Sequence, residues 1–228
     1  MTIRLALLAL LIAAAVSQPL SSQSATTSAM TAKPSVRFTL DFPQSNPAHY
    51  SIAVDATGHA SFECTGKVVE DSEEENYRTE FEVSPQSRQH IFDWAKEAHY
   101  FSGKIDSGNG KLAFTGAKIL EYHDSARSNT ARYNYSNLEA VQKLTALFQG
   151  TATTLEFGQR LAYYHRYQKL ALDEEMKRME EQARENQLSE LQVVAPVLRA
   201  ILDDPSVING VRARAKELIQ MGSGDGTH

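Results

Sequence analysis

The chain has 228 residues, of which 42% are hydrophobic and 22% charged, as is typical of a medium-sized globular domain with an appendage. Its formal net charge is −5, and the sequence contains no dense cluster of Lys and Arg. Because nucleic-acid-binding proteins carry basic surfaces, this charge balance argues against a nucleic-acid partner.

The N-terminus has the pattern of a secretory signal peptide. Arg4 precedes an apolar run from Leu5 to Val16, which is shorter than the about 20 residues that a membrane-spanning helix needs. Ala15-Val16-Ser17 fits the small-x-small rule for cleavage. We therefore predict a signal peptide over residues 1–17, export to the periplasm or the extracellular space, and no integral membrane span after cleavage. An uncleaved anchor is the alternative, because only one positive charge precedes the apolar run.

Polar and then alternating sequence follows the predicted signal peptide. Residues 18–34 are rich in Ser, Thr, Gln and Ala and have no apolar period, which predicts a disordered linker. Hydrophobic residues then alternate with polar ones in segments that short turns connect, which predicts an antiparallel meander. The alternating segments are Val36–Phe42, Tyr50–Ala56, Ala60–Val69 and Tyr77–Val83.

The period changes from two to 3.6 after Val83. Ser84 and Pro85 suit the N-cap and the first position of a helix whose inner stripe includes Ile91 and Trp94. Further strands are predicted at residues 111–123 and 130–136. A second helix follows Asn137, and Gly150 is expected to end it. These elements predict an α+β domain over residues 35–150, an antiparallel sheet with two packed helices.

The remainder of the sequence predicts an all-helical C-terminal region over residues 151–221 and a flexible tail over residues 222–228. Thr153 and Glu156 have capping-box spacing, and apolar residues then recur at helical spacing. Whether this helix is continuous to residue 186 or breaks near Ala171–Asp173 stays open, because Asp173 is a good N-cap residue.

No familiar catalytic or metal-binding motif occurs in the sequence. The histidines and the lone Cys64 have no zinc-site spacing, so we expect neither a metal nor another cofactor. Two pairs, His59 with Glu63 and Glu121 with His123, lie on strand faces. We expect these faces to be solvated, and an acid/base or metal cluster is the alternative. Alternation with Ala60 and Phe62 predicts a buried Cys64 thiol.

One aromatic and basic group is a candidate binding site. Tyr163, Arg166 and Tyr167 lie within two helical turns, and Tyr and Arg are favoured at binding hot spots. The favoured interpretation is internal packing, in which Tyr163, Tyr167 and Leu170 hold the C-terminal helices against the sheet. A partner-binding surface is the alternative.

Two segments, "NPAHYSIAVDATGHASF" and "VSPQSRQHIFDWAKEAHYFS", resemble an uncharacterised family of small exported bacterial envelope domains, a domain of unknown function. The resemblance covers residues 36–150. The matching positions are Pro47, Tyr50, Gly58, Ser84, Ala98 and Phe101. The chain lacks the cysteines that the family often has ahead of its Pro-x-Tyr sequence, and His49 lengthens that spacing by one residue. The resemblance implies an α+β envelope domain and no particular activity.

These observations favour a non-catalytic binding or interaction module of the bacterial envelope with a protein partner. Two alternatives stay open: a small hydrolase or carbohydrate-active enzyme with an unfamiliar site, and a structural accessory of a larger assembly. The sequence does not determine the oligomeric state.

Overall fold

A computed structural model describes residues 33–224. The predicted signal peptide, nearly all of the predicted linker and the last four residues of the predicted tail lie outside the described residues. Within the described range, no helix combines the length and the hydrophobicity that a bilayer-spanning segment needs.

In the described part of the chain, six strands form one antiparallel sheet in the order β4-β3-β2-β1-β5-β6. The strands are β1 (Ser35–Asp41), β2 (His49–Asp55), β3 (His59–Lys67), β4 (Glu74–Glu82), β5 (Ala117–His123) and β6 (Ser128–Tyr133). The predicted meander is confirmed for β1 to β4. The strand predicted to start at Lys111 begins only at Ala117, because the chain turns at Gly116, whose φ is 95°.

Five α-helices lie within residues 33–224, which confirms the predicted α+β class with a helical C-terminal region. The helices are α1 (Pro85–Glu97), α2 (Glu139–Tyr167), α3 (Leu172–Arg184), α4 (Ala195–Asp203) and α5 (Asn209–Ser223). Short 3₁₀ turns lie at His99–Phe101, Lys169–Ala171 and Leu191–Val194. Because α5 continues to Ser223, it ends two residues beyond the predicted boundary of the flexible tail.

The sheet buries one face against α1 and the first half of α2. Alternation along β1 places Val36 and Phe38 on this face with no exposed surface. Phe38 stacks on Phe148 of α2 with ring centroids 5.5 Å apart. Ser84 caps α1 as predicted, since its hydroxyl accepts a hydrogen bond from the Ser87 amide at 3.1 Å.

The predicted helix end at Gly150 and the predicted restart at Thr153 are wrong, because α2 is continuous from Glu139 to Tyr167. Gly150 serves close packing instead. A Cβ atom there would lie 2.6 Å from Ser189 Oγ, and one at Gly158 would lie 2.5 Å from Val194 Cγ1. These two glycines let the segment 187–194 lie directly against α2. The predicted boundary between residues 150 and 151 therefore falls inside a helix.

The break that the sequence left open occurs at Gln168, slightly before the expected position. Gln168 has non-helical backbone angles (φ −145°, ψ 59°), one 3₁₀ turn follows, and α3 begins at Leu172. Beyond the break, α3, α4 and α5 pack with the second half of α2 around a second apolar core. Phe157, Leu161, Leu172 and Met176 of this core are fully buried or nearly so.

A buried carboxylate connects the C-terminal region to the start of α1. Glu190 is 8% exposed and accepts hydrogen bonds from the Ser84 amide at 2.6 Å and the Ser84 hydroxyl at 3.0 Å. The Ser87 hydroxyl and the Gln192 amide also donate to it. A helix N-terminus leaves backbone N–H groups unpaired and favours negative charge. Glu190 therefore stabilises the N-terminus of α1 from a distant part of the chain.

Replacing this carboxylate is expected to destabilise the protein. In Glu190→Ala the Ser84 amide loses its charged acceptor, so we expect the free energy of unfolding to fall by about 2 kcal/mol. Chemical denaturation measures it. The matched control is Glu181→Ala on the exposed face of α3, for which we expect a change within about 0.5 kcal/mol. Equal stabilities of the two variants would contradict this role of Glu190.

Candidate functional site

The predicted aromatic and basic group forms a continuous surface at the end of α2. The ring centroids of Tyr163 and Tyr167 are 5.1 Å apart, and the Arg166 guanidinium lies 5.1 Å from the Tyr167 ring. Leu170 follows in the next turn and is 95% exposed. We call these four residues, Tyr163, Arg166, Tyr167 and Leu170, the aromatic surface.

The favoured interpretation of this group as an internal joint is wrong. Tyr167 is 60% exposed, and neither it nor Leu170 belongs to either apolar core. The break at Gln168 redirects the chain, so that Leu172 enters the core in place of Leu170. The structure therefore brings Tyr163, Arg166 and Tyr167 together and leaves Tyr167 and Leu170 facing solvent.

A cluster around Asp204 fixes the segment that carries the aromatic surface. His165 Nε2 and Lys169 Nζ contact Asp204 Oδ2 at 2.8 and 2.7 Å, and the Ser206 amide and hydroxyl donate to Asp204 Oδ1. These partners, with the ammonium of Lys169 first, hold the pKa of Asp204 well below its usual range. The carboxylate thus ties both sides of the break at Gln168 to the turn before α5.

Arg166 carries a positive charge that has no intramolecular counter-ion in the described part of the chain. No carboxylate among residues 33–224 lies within 4.0 Å of its guanidinium. By contrast, Lys169 of the neighbouring turn is paired with Asp204. The aromatic surface is therefore apolar with one unpaired cation, a combination that complements apolar and acidic groups.

A cleft of about 650 Å³ lies between two strand connections and the helices α2 and α3. The β1–β2 connection contributes Asn46 to one side of the cleft, and the β3–β4 connection contributes Val68 and Val69 to another side. Arg160, Tyr164 and Arg178 line the helical side. The cleft has the size of a small-molecule site, and charged groups surround it.

An ion pair forms the helical wall of the cleft. Arg160 Nε donates to Glu175 Oε1 at 2.5 Å, and Arg178 lies 3.6 Å from the other carboxylate oxygen. The Glu175 side chain is only 4% exposed, and the Arg160 guanidinium lies 4.7 Å from the ring centroid of Phe157. Glu175 is therefore a buried, doubly paired carboxylate that connects α3 to α2.

Glu156 lies one helical turn before Arg160 and is the most perturbed acid of this region. Its carboxylate is 3.8 Å from the Arg160 guanidinium, and its side chain is 18% exposed. Burial raises the pKa of Glu156 to about 7, although the charge of Arg160 opposes the shift. Burial, and then the nearby charge of Glu156, also raises the pKa of the Cys64 thiol to about 11.

The chemistry that this region can perform follows from these groups. A carboxyl group with a pKa near neutrality can act as a general acid or base. The carboxylate of Glu175 is not available as the second carboxylate of a glycoside hydrolase, because both of its oxygens are held by arginines. The Cys64 thiol is buried and remains protonated at neutral pH, so it is not an activated nucleophile.

The structure does not bring the two histidine and glutamate pairs together, since β2 and β1 separate β3 from β5. His59 instead contacts Glu80 and Glu82 of β4. Glu63 pairs with Arg78, and Glu121 pairs with Arg37. Between residues 33 and 224, no three His, Cys, Asp or Glu side chains are grouped so that they could hold a metal ion.

Glu156 and Glu190 were not among the candidates from sequence. Glu156 was interpreted as part of a capping box, because Thr153 three residues earlier gives the expected spacing. Its i,i+4 relation to Arg160 within an otherwise apolar stretch was the available signal. Nothing local distinguishes Glu190, whose partners Ser84 and Ser87 are more than 100 residues away in the chain.

The chain matches no protein-family model, and no curated protein is significantly similar to it. The resemblance of residues 36–150 to a family of envelope domains therefore stays a prediction.

The raised pKa of Glu156 predicts a pH-dependent stability. From pH about 4.5 to about 7 the folded protein retains a proton that the unfolded chain has released, so stability falls as the pH rises through this range. The shift from 4.5 to about 7 corresponds to a loss of at most about 3 kcal/mol. The glutamine of Glu156→Gln does not titrate, so this pH-dependent contribution to the free energy of unfolding is absent from the variant.

Denaturation of both proteins at several pH values between about 5 and about 7.5 measures the difference. We expect the wild-type stability to fall relative to Glu156→Gln as the pH rises. Parallel pH profiles would show that Glu156 titrates normally in the folded protein.

Proposed function

We propose that the protein is a non-catalytic binding module of the bacterial envelope, and that the aromatic surface binds an apolar, acidic segment of a protein partner. The observation that carries this proposal is the exposure of Tyr167 (60%) and Leu170 (95%) at the end of α2. An exposed aromatic and aliphatic group beside an unpaired arginine is typical of binding hot spots.

The attachment of the aromatic surface supports the same proposal. The Asp204 cluster holds the chain on both sides of Tyr167 and directly before Leu170, through His165 and Lys169. A binding surface that is already ordered loses less conformational entropy when a partner binds. Arg166, which no carboxylate of the described residues neutralises, would pair with an acidic residue of the partner.

The envelope location is proposed from the N-terminal sequence. The apolar run from Leu5 to Val16 and the small residues up to Ser17 have the pattern of a cleaved export signal. The lone cysteine, Cys64, is buried and unpaired, so the described fold does not depend on an internal disulfide.

A hydrolase that acts through Glu156 is the second candidate function. The raised pKa of Glu156, whose carboxylate is 3.8 Å from the guanidinium of the cleft-lining Arg160, favours the hydrolase. The hydrolase is the weaker of the two candidate functions, because the nearby carboxylate of Glu175 is already paired with Arg160 and Arg178. Hydrolysis of model glycosides or esters by the wild type, and its loss in Glu156→Gln, would favour the enzyme.

Site-specific photocrosslinking in the native bacterial host tests the binding module. A photoreactive residue in place of Leu170 is expected to give a discrete crosslinked species with an envelope protein. The matched control places the same residue at Glu181, which is exposed on α3 outside the aromatic surface. We expect Tyr167→Ala to reduce the crosslink at position 170 at least tenfold, a loss of about 1.4 kcal/mol in binding.

Two results would contradict the proposal: no species at position 170, or equal crosslinking from positions 170 and 181. A loss of folding is separated from a loss of binding by thermal denaturation. Because Tyr167 is exposed, Tyr167→Ala should stay within about 0.5 kcal/mol of the wild type. Phe157→Ala, on the buried side of the same helix, should lose about 3–5 kcal/mol.

Export has its own test. Mass spectrometry of the protein purified from the envelope fraction should show the loss of about the first 17 residues. As a control, a charged substitution in the apolar run, Leu10→Arg, should leave the full-length chain in the cytoplasmic fraction. Intact Met1 on most molecules of the envelope fraction would contradict cleavage.

A further inference from the structure

Lys118 occupies a core position of the sheet. Lys118 lies on the same buried face of β5 as Leu120 and Tyr122, and it is only 5% exposed. Its cross-strand neighbour on β6 is Tyr133, also on the buried face. Lysine is rarely buried without a paired charge, so its position calls for a physical explanation.

The neighbours of Lys118 satisfy its hydrogen bonds but do not neutralise its charge. Its ammonium donates to the Thr115 hydroxyl at 2.9 Å, to the Asn134 carbonyl at 3.1 Å and to the Thr115 carbonyl at 3.3 Å. No carboxylate among residues 33–224 lies within salt-bridge distance of it. Burial, without an opposing charge, lowers the pKa of Lys118.

The other buried charged side chains of the described fold are compensated. Glu175 is paired with Arg160 and Arg178, and Glu180 is paired with Arg184 and Arg214. Glu190 accepts hydrogen bonds at the N-terminus of α1, where negative charge is favoured. Within residues 33–224, Lys118 is therefore the buried charge that lacks both an opposite charge and a helix terminus.

A groove of about 320 Å³ opens beside Lys118, between the β5–β6 edge of the sheet and the first turns of α2. Among the residues that line it, all of them described, Lys118 carries the only charge. The rest of its polar lining consists of hydroxyl and amide groups, including those of Tyr133, Asn134, Tyr135, Gln142 and Thr145. The volume is near the lower end of the range for ligand sites, about 300–1,000 Å³.

The polar groups of the groove are held in place by one another. The Tyr133 hydroxyl is 2.6 Å from the Thr145 hydroxyl of α2. Gln142 donates to the Tyr135 hydroxyl at 2.9 Å, which orients the half-exposed Tyr135 ring at the groove. An aromatic ring beside fixed hydroxyl and amide groups complements a molecule that has apolar C–H faces and many hydroxyl groups.

We propose that this groove binds a hydroxylated monocarboxylate of the size of a sugar acid, with the ligand carboxylate placed against Lys118. A single negative charge matches the single ammonium. A phosphate dianion would need further cationic or backbone N–H donors, such as an arginine or a helix N-terminus, and the groove lining supplies no arginine. This site is independent of the aromatic surface, so its test does not depend on the proposed protein partner.

Lys118 acts in this site as a charge and not as a nucleophile. Its ammonium donates to oxygen atoms of Thr115 and Asn134, and a protonated amine has no lone pair for attack on a carbonyl group. The ligand carboxylate would replace the longest of these contacts, the 3.3 Å one to the Thr115 carbonyl. The groove lining also includes no carboxylate that would accept a proton from it. The geometry therefore supports reversible binding without covalent chemistry.

Isothermal titration of the wild-type protein with D-glucuronate and D-gluconate tests the proposal. Neutral D-glucose and inorganic phosphate serve as matched probes. We expect at least one sugar acid to bind saturably with a Kd of about 1 mM or below, and at least tenfold more tightly than glucose or phosphate. If glucose bound as tightly as the sugar acids, the ligand carboxylate would not be recognised and the proposal would be contradicted. Phosphate binding of equal affinity would contradict the proposed class of ligand. No binding of either sugar acid would overturn the proposal.

Two variants locate the bound ligand. Lys118→Met keeps the length of the side chain and removes its charge, so it should weaken sugar-acid binding at least tenfold. Tyr135→Ala alters a half-exposed ring and retains the buried lysine, which keeps the test decisive if Lys118→Met does not fold. We expect Tyr135→Ala to weaken binding several-fold, whereas Glu181→Ala on the exposed face of α3 should leave it unchanged. Wild-type binding in folded Lys118→Met, or in Tyr135→Ala, would place the ligand elsewhere and reject the site.

Discussion

The close approach between α2 and the segment 187–194 determines how the two halves of the protein fit together. Gly150 and Gly158 remove the Cβ atoms that would collide with Ser189 and Val194. Thr154 strengthens the contact, because its hydroxyl donates to the Ser189 carbonyl at 2.7 Å. With this segment in place, the buried carboxylate of Glu190 can reach the start of α1. One helix therefore belongs to both apolar cores, and the C-terminal helices depend on α2 for their position.

The same helix also organises the candidate sites. Its first turns contribute Gln142 and Thr145 to the groove beside Lys118, and its middle contributes Arg160 to the cleft. Its last turn carries the aromatic surface. Because an α-helix rises about 1.5 Å per residue, these three sites lie well apart along the helix axis. Each site therefore has different surroundings. The first is packed against the sheet, the second lies at the junction with α3, and the third extends into solvent.

Sequence patterns predicted the parts of this fold that local physics determines. Alternation located β1 to β4, and the Ser84-Pro85 pair located the start of α1. The errors arose where one residue type serves two purposes. A glycine at a helix end and a glycine at a close packing contact are alike in sequence, so Gly150 was misread. Tyr167 illustrates the same limit, because helical spacing gives the face of a residue but not what covers that face. Glu156 and Lys118 acquire their roles from burial, and Glu190 from distant partners, and both arise only in the tertiary structure.

The exposed edge of the sheet has a consequence for how copies of this protein meet. An edge strand offers unpaired backbone groups to any other strand, and flat apolar edges of this kind promote aggregation. β4 forms one edge, and its sequence EENYRTEFE contains four glutamates and one arginine. Two such edges that approached each other would bring like charges together before their backbones could pair, and like charges directly opposite are destabilising. The acidic composition of β4 thus opposes growth of the sheet from one molecule into the next through this edge.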